Sequence, residues 1–270
     1  MKTETVMNDT ANLNYIENCE LASCTHSLAE HTEAMSARLQ SGDQPVVPVE
    51  PEGAVVGGSV IAFTEGVSRQ NKEDVMDSFL FATLVANKAF NPESQTQLWY
   101  SKYNEVLAKL GWFSTNWSYA QYRTTKQSFT MDQVGLEIIG SAIAAAALPG
   151  PASAAMLKVA ADAIAALKAK DKPLKLFERQ SKTHKGGSFR IAACTESSDG
   201  FVNVALGAVN FNSTINATNV LFWEWNNSDV STYQGKNSLV LNSTIYKGVR
   251  ELVRERLGNN AKDAIAEFEI

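Results

Sequence analysis

The chain has 270 residues, 44% hydrophobic and 20% charged, which excludes collagenous, coiled-coil and wholly disordered classes and leaves enough chain to bury a core without staples. Its net charge of −5 is uneven: residues 1–54 carry nine acidic and two basic side chains, leaving 22 basic against 20 acidic in the remainder. A nucleic-acid binder draws most of its affinity from a basic surface, so that class is excluded.

Three cysteines, Cys19, Cys24 and Cys194, cannot build a disulfide framework and point to maturation in a reducing compartment. The first residues show neither a basic n-region nor an apolar h-region, so the expectation is a protein that is cytoplasmic as synthesised. Release by lysis or a specialised route, followed by membrane association, is the matching expectation for its destination. No uninterrupted apolar run reaches the roughly 18 residues of a membrane span. The nearest, 138–148, stops at Pro149-Gly150-Pro151.

Residues 1–54 are rich in Glu, Ser, Thr and Asn and read as an acidic, disordered leader with a short helix at about 24–39 and an extended proline-rich stretch at 44–51. Residues 55–270 read as one α+β domain. Within it, 55–63 is β-branched around Gly57-Gly58, as a buried strand with a bulge. Residues 72–90 are apolar almost all round, as a deeply buried helix. Asn91-Pro92-Glu93 supplies start signals for a second helix carrying Trp99, Tyr103, Val106, Leu107 and Leu110 on one face. Alternation over 112–122 predicts a strand, and 131–148 and 152–170 predict two alanine-rich helices. From Ser188 the composition turns to Val, Ile, Phe, Thr and Asn, with strands expected at 188–196, 200–212, 217–226 and 231–242 and a last helix at 243–257. Helical hairpins followed by consecutive strands predict an antiparallel sheet wrapped by helices, not a doubly wound parallel sheet.

Enzyme signatures are sparse, and the expectation is a protein that is not an enzyme, with no catalytic residue and no metal site. Of three histidines, His26 and His31 fall in the leader and His184 in a loop without a nucleophile motif. Cys24 with His26 and His31 lacks the second ligand pair of a zinc site. Gly57-Gly58 and Gly186-Gly187 lack a phosphate-loop context and read as turn or bulge glycines.

Lys168 and Lys170, with Lys172, Lys175 and Arg179, end the alanine-rich helix. They suit either anionic head groups or a solvated helix end whose cations offset the dipole. Trp223 and Trp225 share one face of a predicted strand and are candidates for a membrane interface, although strand packing accounts for them equally well. Cys194 lies among small residues, with Ala192 on its own face and Ala193 beside it. It is either an inert core thiol or an acyl acceptor beside a lipid-sized cavity lined by Ala192, Ala193, Phe79 and Ile138. Expected partners are lipid or a membrane surface, with oligomers formed there.

The segment 74–90, DVMDSFLFATLVANKAF, resembles the first long helix of the Cyt-type cytolytic toxins, an apolar run that closes on a phenylalanine. The order of strand, helical hairpins, meander and final helix over 55–258 is similar to that group and to the Evf-type virulence factors. The resemblance implies a layered α+β fold and a lipid-engaging role in virulence or insect-directed cytolysis, with trimming of the ends before attack. It also implies a fatty acyl chain, the one expected bound group, held on a buried cysteine. Cys194 is the position in the expected domain that matches. The alternative is a lipid- or fatty-acyl-binding protein that does not breach membranes.

Overall fold

The structure, a computed structural model, describes residues 2–23, 50–213, 215, 219–258 and 260–270, with backbone only for 2–9. The helix expected at 24–39, with Cys24, His26 and His31, lies outside these residues. So does most of the proline-rich stretch 44–51.

A mixed sheet divides the molecule into two helical layers. Its strands are β1 (Glu52–Val56), β2 (Ser59–Phe63), β3 (Trp112–Ser114), β4 (Ser118–Gln121), β6 (Lys182–Thr183), β7 (Gly186–Glu196), β8 (Val202–Ser213), β10 (Val230–Leu241) and β11 (Ile265–Glu269). Their order is β11-β1-β2-β7-β8-β10-β3, with β4 also on β10 and β6 on β7. A separate two-stranded ribbon joins β5 (Ser128–Thr130) to β9 (Glu224–Asn226).

The long strands β7, β8 and β10 form the expected antiparallel meander, paired in continuous register from Glu196↔Val202 to Val230↔Ser213. β2 departs from it by running parallel to β7, with Phe63 opposite Cys194. Parallel neighbours need a crossover, and the chain between β2 and β7 supplies one through five helices and shorter strands. The fold is therefore α+β and layered, with one parallel pair inside an otherwise antiparallel sheet.

Several local expectations change. Residues 55–63 are a hairpin, not one bulged strand. Gly57 and Gly58 both take positive φ (53° and 77°), the conformation a two-residue turn of the primed type requires. The strand expected over 112–122 is split into β3 and β4. The strand expected over 217–226 shrinks to β9 and leaves the main sheet, because its apolar residues Val220 and Leu221 sit in a turn and face the second core. β11, unforeseen in the sequence, pairs antiparallel with β1.

One layer contains α2 (Arg69–Ala89), α3 (Thr96–Lys109) and α7 (Ser243–Leu257), with α1 (Lys2–Asn18) laid outside against α7. Ser68 caps α2 by accepting from the Asn71 amide, and Asn242 caps α7 by accepting from Thr244 and Ile245. α2 is apolar around most of its circumference because it lies between the sheet and α3 and α7. Its Phe79 ring meets Tyr103 edge-on at 6.1 Å and Trp112 at 5.8 Å. Parts of the acidic N-terminal segment join this layer: Ile16 and Cys19 are buried, and the Arg256 guanidinium donates to the Cys19 carbonyl.

The other layer contains α4 (Met131–Ala145), α5 (Gly150–Leu167) and α6 (Asp171–Ser181), whereas a short α8 (Asn260–Ala264), which precedes β11, lies against α2 with Ala264 in the first core. The helix expected over 152–170 is thus α5 alone, and α6 follows after a break at Lys170. On β8, Gly207 lets α4 approach: an added Cβ there would lie 3.0 Å from the Ile139 backbone nitrogen. Alanine and glycine here shorten the distance between helix and sheet.

Candidate functional site

The residues expected to bear on lipid fall in three places. On β7, successive side chains alternate across the sheet, so Arg190, Ala192 and Cys194 face the α2 layer while Ile191 and Ala193 face the α4–α5 layer. Phe79 shares the face of Cys194. Ile138 and Ala193 lie on the opposite side. The four expected lining residues therefore do not enclose one space, and the alanine-rich helix that composition set against Cys194 packs on the other face of the sheet.

Cys194 is fully buried, between Phe63 on β2 and Val204 on β8. Burial is the main cause that pushes its thiol well above the ordinary range, with Glu196 adding to the effect and Lys72 opposing it. Nucleophilic attack needs the thiolate, so this sulfur is held in its unreactive form. Cys19 is likewise pushed up, chiefly by burial.

The membrane-interface candidates separate in the same way. Trp225 on β9 is buried (2% exposed) and meets the Phe211 ring at 5.0 Å, whereas Trp223 is 42% exposed. Trp223 precedes the paired residues of β9, so strand alternation does not hold there and the two indoles do not form one patch. Lys168, at the C-terminal end of α5, sits 5.3 Å above the Phe222 ring, which brings a cation and the aromatic pair Phe222-Trp223 to one place. Lys170, one turn residue on, is half-buried at the start of α6.

The third place is the α4–α5 hairpin itself. Among the described helices, α5 is the one long and apolar enough to cross a membrane, yet only 33% of that stretch is buried. In sequence it is not an uninterrupted apolar run, because Lys158 and Asp162 lie within it. Those two charges are an i,i+4 pair at 2.6 Å on its exposed side. Beside them Leu157 is 45% exposed and Ala154, Ala155, Ala161 and Ala165 face outward. Met156, Val159, Ala160, Ala163, Ile164 and Leu167 form its buried face. The connection to α4 runs through Ala147, which takes a positive φ of 52°, and Pro149-Gly150-Pro151.

Two polar features carried no sequence signal. Arg250 and Arg254, on the face of the last helix opposite its apolar residues, reach back to α2. Arg250 grips the buried Asp74 with two hydrogen bonds of 2.8 and 2.5 Å, and Arg254 bonds to Glu73 at 2.9 Å and Asp77 at 3.2 Å. Burial raises the Asp77 carboxyl despite this arginine, and the Asp74 bonds raise Arg250. Arg190, inside a strand of apolar and small residues, is the other. His184, by contrast, is exposed in the β6–β7 turn, where its backbone amide and that of Lys185 donate to the Glu93 carboxylate at 3.2 and 2.8 Å.

The architecture is that of an α+β layered protein with two cores on the faces of one mixed sheet. Neither a family model nor a curated protein matches the sequence. Among solved structures, the chain is similar to a delta-endotoxin, with 11% identity over 75% of this chain and 88% of that one at a TM-score of 0.41. It is also similar to the Evf virulence factor, with 11% identity over 74% and 82% of the two chains at a TM-score of 0.34.

Proposed function

We propose that the protein is a lipid-engaging, membrane-active factor of the toxin or virulence type, acting without an enzymatic step, and that the α4–α5 hairpin is the element that meets the bilayer. The observation that carries this reading is the mismatch in α5 between composition and burial, an apolar helix of spanning length with two-thirds of that stretch unburied. An ordinary surface helix keeps a charged outer face. Here that face is mostly alanine with Leu157, and its two charges neutralise each other. Such a helix loses little on leaving water for a bilayer, because the apolar area of its buried face, Met156, Val159, Ile164 and Leu167, is covered by lipid as it was by the sheet. Lys168, with Phe222 and Trp223, supports an approach to anionic head groups at the interface. The sequence resemblance at 74–90 is the reason for placing the activity in virulence or cytolysis. The hairpin needs no acyl group on Cys194.

Dye release from anionic liposomes tests the reading. Wild-type protein is expected to release dye, and Leu157→Glu is expected to suppress release without shifting the thermal midpoint, because the side chain already faces water. An intact wild-type protein that leaves vesicles sealed, while still binding them, would favour the non-breaching alternative. His184→Ala is expected to leave release unchanged.

A further inference from the structure

We infer that the cavity around Arg190 is a binding site for a phosphate-type oxyanion. Arg190 lies on β7 facing the α2 layer, 2% exposed. Its Nε donates to Ser59 Oγ at 2.7 Å, and its Nη2 donates to the Gly57 carbonyl and, at 3.3 Å, to Thr83 Oγ1. The guanidinium carbon lies 4.8 Å from the Trp99 ring centroid and 5.2 Å from that of Tyr103. Every one of these partners is neutral. Among the described residues no carboxylate comes within ion-pair distance of Arg190. The acid beside the cavity wall, Glu93, is engaged by the backbone amides of His184 and Lys185. A buried charge is ordinarily paired, and cation–π contacts with neutral acceptors compensate it only in part.

Next to this unpaired cation is space. A cavity of about 280 Å³ is lined by Arg190 together with Asn87, Lys182, Thr183 and Ser188. Its lining is rich in donors: a guanidinium, a lysine at the rim, an amide and hydroxyls. The Thr183 hydroxyl has no partner among the described residues. Behind the cavity wall the buried Tyr103 phenol likewise has no partner among the described residues, and the Arg190 charge acts on it. With Nε and Nη2 of Arg190 held by Ser59, Gly57 and Thr83, the Nη1 nitrogen is the part of the guanidinium left to give a charge-assisted hydrogen bond to a phosphate oxygen. The volume is at the small end for ligand sites, enough for phosphate with a few attached atoms and too little for a whole phospholipid. Through Gly57, Thr83, Asn87 and Gln180 it shares a wall with a second cavity of about 160 Å³ lined by Leu80, Leu84 and Leu176 together with Arg179 and Asp263, so a substituent on the anion has a space of mixed polarity beside it. The inference stands apart from the hairpin and its membrane role.

The full chain is titrated with inorganic phosphate against chloride at matched ionic strength, with the thermal midpoint and indole fluorescence as readouts, since Trp99 touches both guanidinium and cavity. A saturable rise in midpoint specific to phosphate is expected. Arg190→Lys is expected to weaken it about tenfold or more, the loss of a charge-assisted hydrogen bond. Because Arg190 also ties β7 to the Gly57 turn, Lys182→Ala serves as the second variant: measured against that variant's own phosphate-free midpoint, the affinity for phosphate falls. Vesicles containing phosphatidic acid form the parallel arm. Saturation by inorganic phosphate assigns the site to a soluble oxyanion, and response to the vesicles alone assigns it to a lipid headgroup. No difference between phosphate and chloride with no vesicle response overturns the inference, as does a phosphate response that Lys182→Ala and every folded Arg190 variant leave undiminished.

Discussion

The two faces of the sheet are built from different materials. The α2 face packs Phe79, Trp99, Tyr100, Tyr103 and Trp112 in a chain of ring contacts and adds ion pairs that tie α7 to α2. On the α4–α5 face the two helices contribute isoleucines, valines, alanines and methionines, with glycine where the helix backbone comes nearest, and the rings, Phe177, Phe189, Phe211 and Trp225, come from α6 and the strands. Large aromatics bury more area per residue and interlock in fixed geometry, whereas small residues bring backbones close but bury little. The comparison teaches that one layer is the molecule's anchor and the other its separable part.

The largest expected effect is on the anchor. Phe79→Ala removes a ring shared by Tyr103 and Trp112 and is expected to cost about 4 kcal/mol in denaturant unfolding. Met156→Ala, equally buried on α5, is expected to cost clearly less. Equal losses would erase the distinction between the faces.

Next is the ion pair between helices. Arg250→Met leaves Asp74 buried and without its bidentate partner, and about 3 kcal/mol of stability is expected to go. Chemical unfolding at neutral pH measures this. A loss below about 1 kcal/mol would mean that Arg254, 3.9 Å from Asp74, takes over the compensation.

Native-state hydrogen exchange sharpens the comparison without substitution. Amides of α5 are expected to exchange through a partial opening at a free energy below the global value, while those of α2 require global unfolding. Matching protection in the two helices would contradict a separable hairpin.

The smallest and most gradual effect is alkaline. Burial, with Lys102 opposing it, pushes the Tyr15 phenol up to about 12, and burial with the Glu137 carboxylate pushes Tyr122 up to about 12. A folded pKa above the unfolded value of 10.0 contributes stability that is complete below pH 10 and is lost as pH rises through about 12. The thermal midpoint is expected to hold to pH 10 and decline beyond it. A midpoint that fell already between pH 8 and 9 would assign the loss to other groups.

Periodicity and turn chemistry in the sequence were sufficient for the helices at 69–89 and 243–257 and for the meander of three long strands, because each is specified by side chains within a few positions of one another. The α+β class followed from their order. Short segments were less legible: β9 and β11 hold three and five residues, and their pairing with β5 and β1 depends on partners far away in the chain.

The candidate sites divide along the same line. That α5 is apolar, alanine-rich and bounded by Pro-Gly-Pro is written in its composition; that two-thirds of the stretch stays unburied is decided by how much of it the sheet can cover. That Cys194 sits among alanines is local information, but which helix faces it depends on the hand of the β2–β7 crossover, and tertiary structure put α2 there. Arg190 makes the point most fully. In sequence it is one cation in a strand, and its meaning as a buried charge without a carboxylate arises only when β2, α2, α3 and the β6–β7 turn converge on it. Electrostatic compensation is a property of the surroundings in space, which spacing along the chain does not encode.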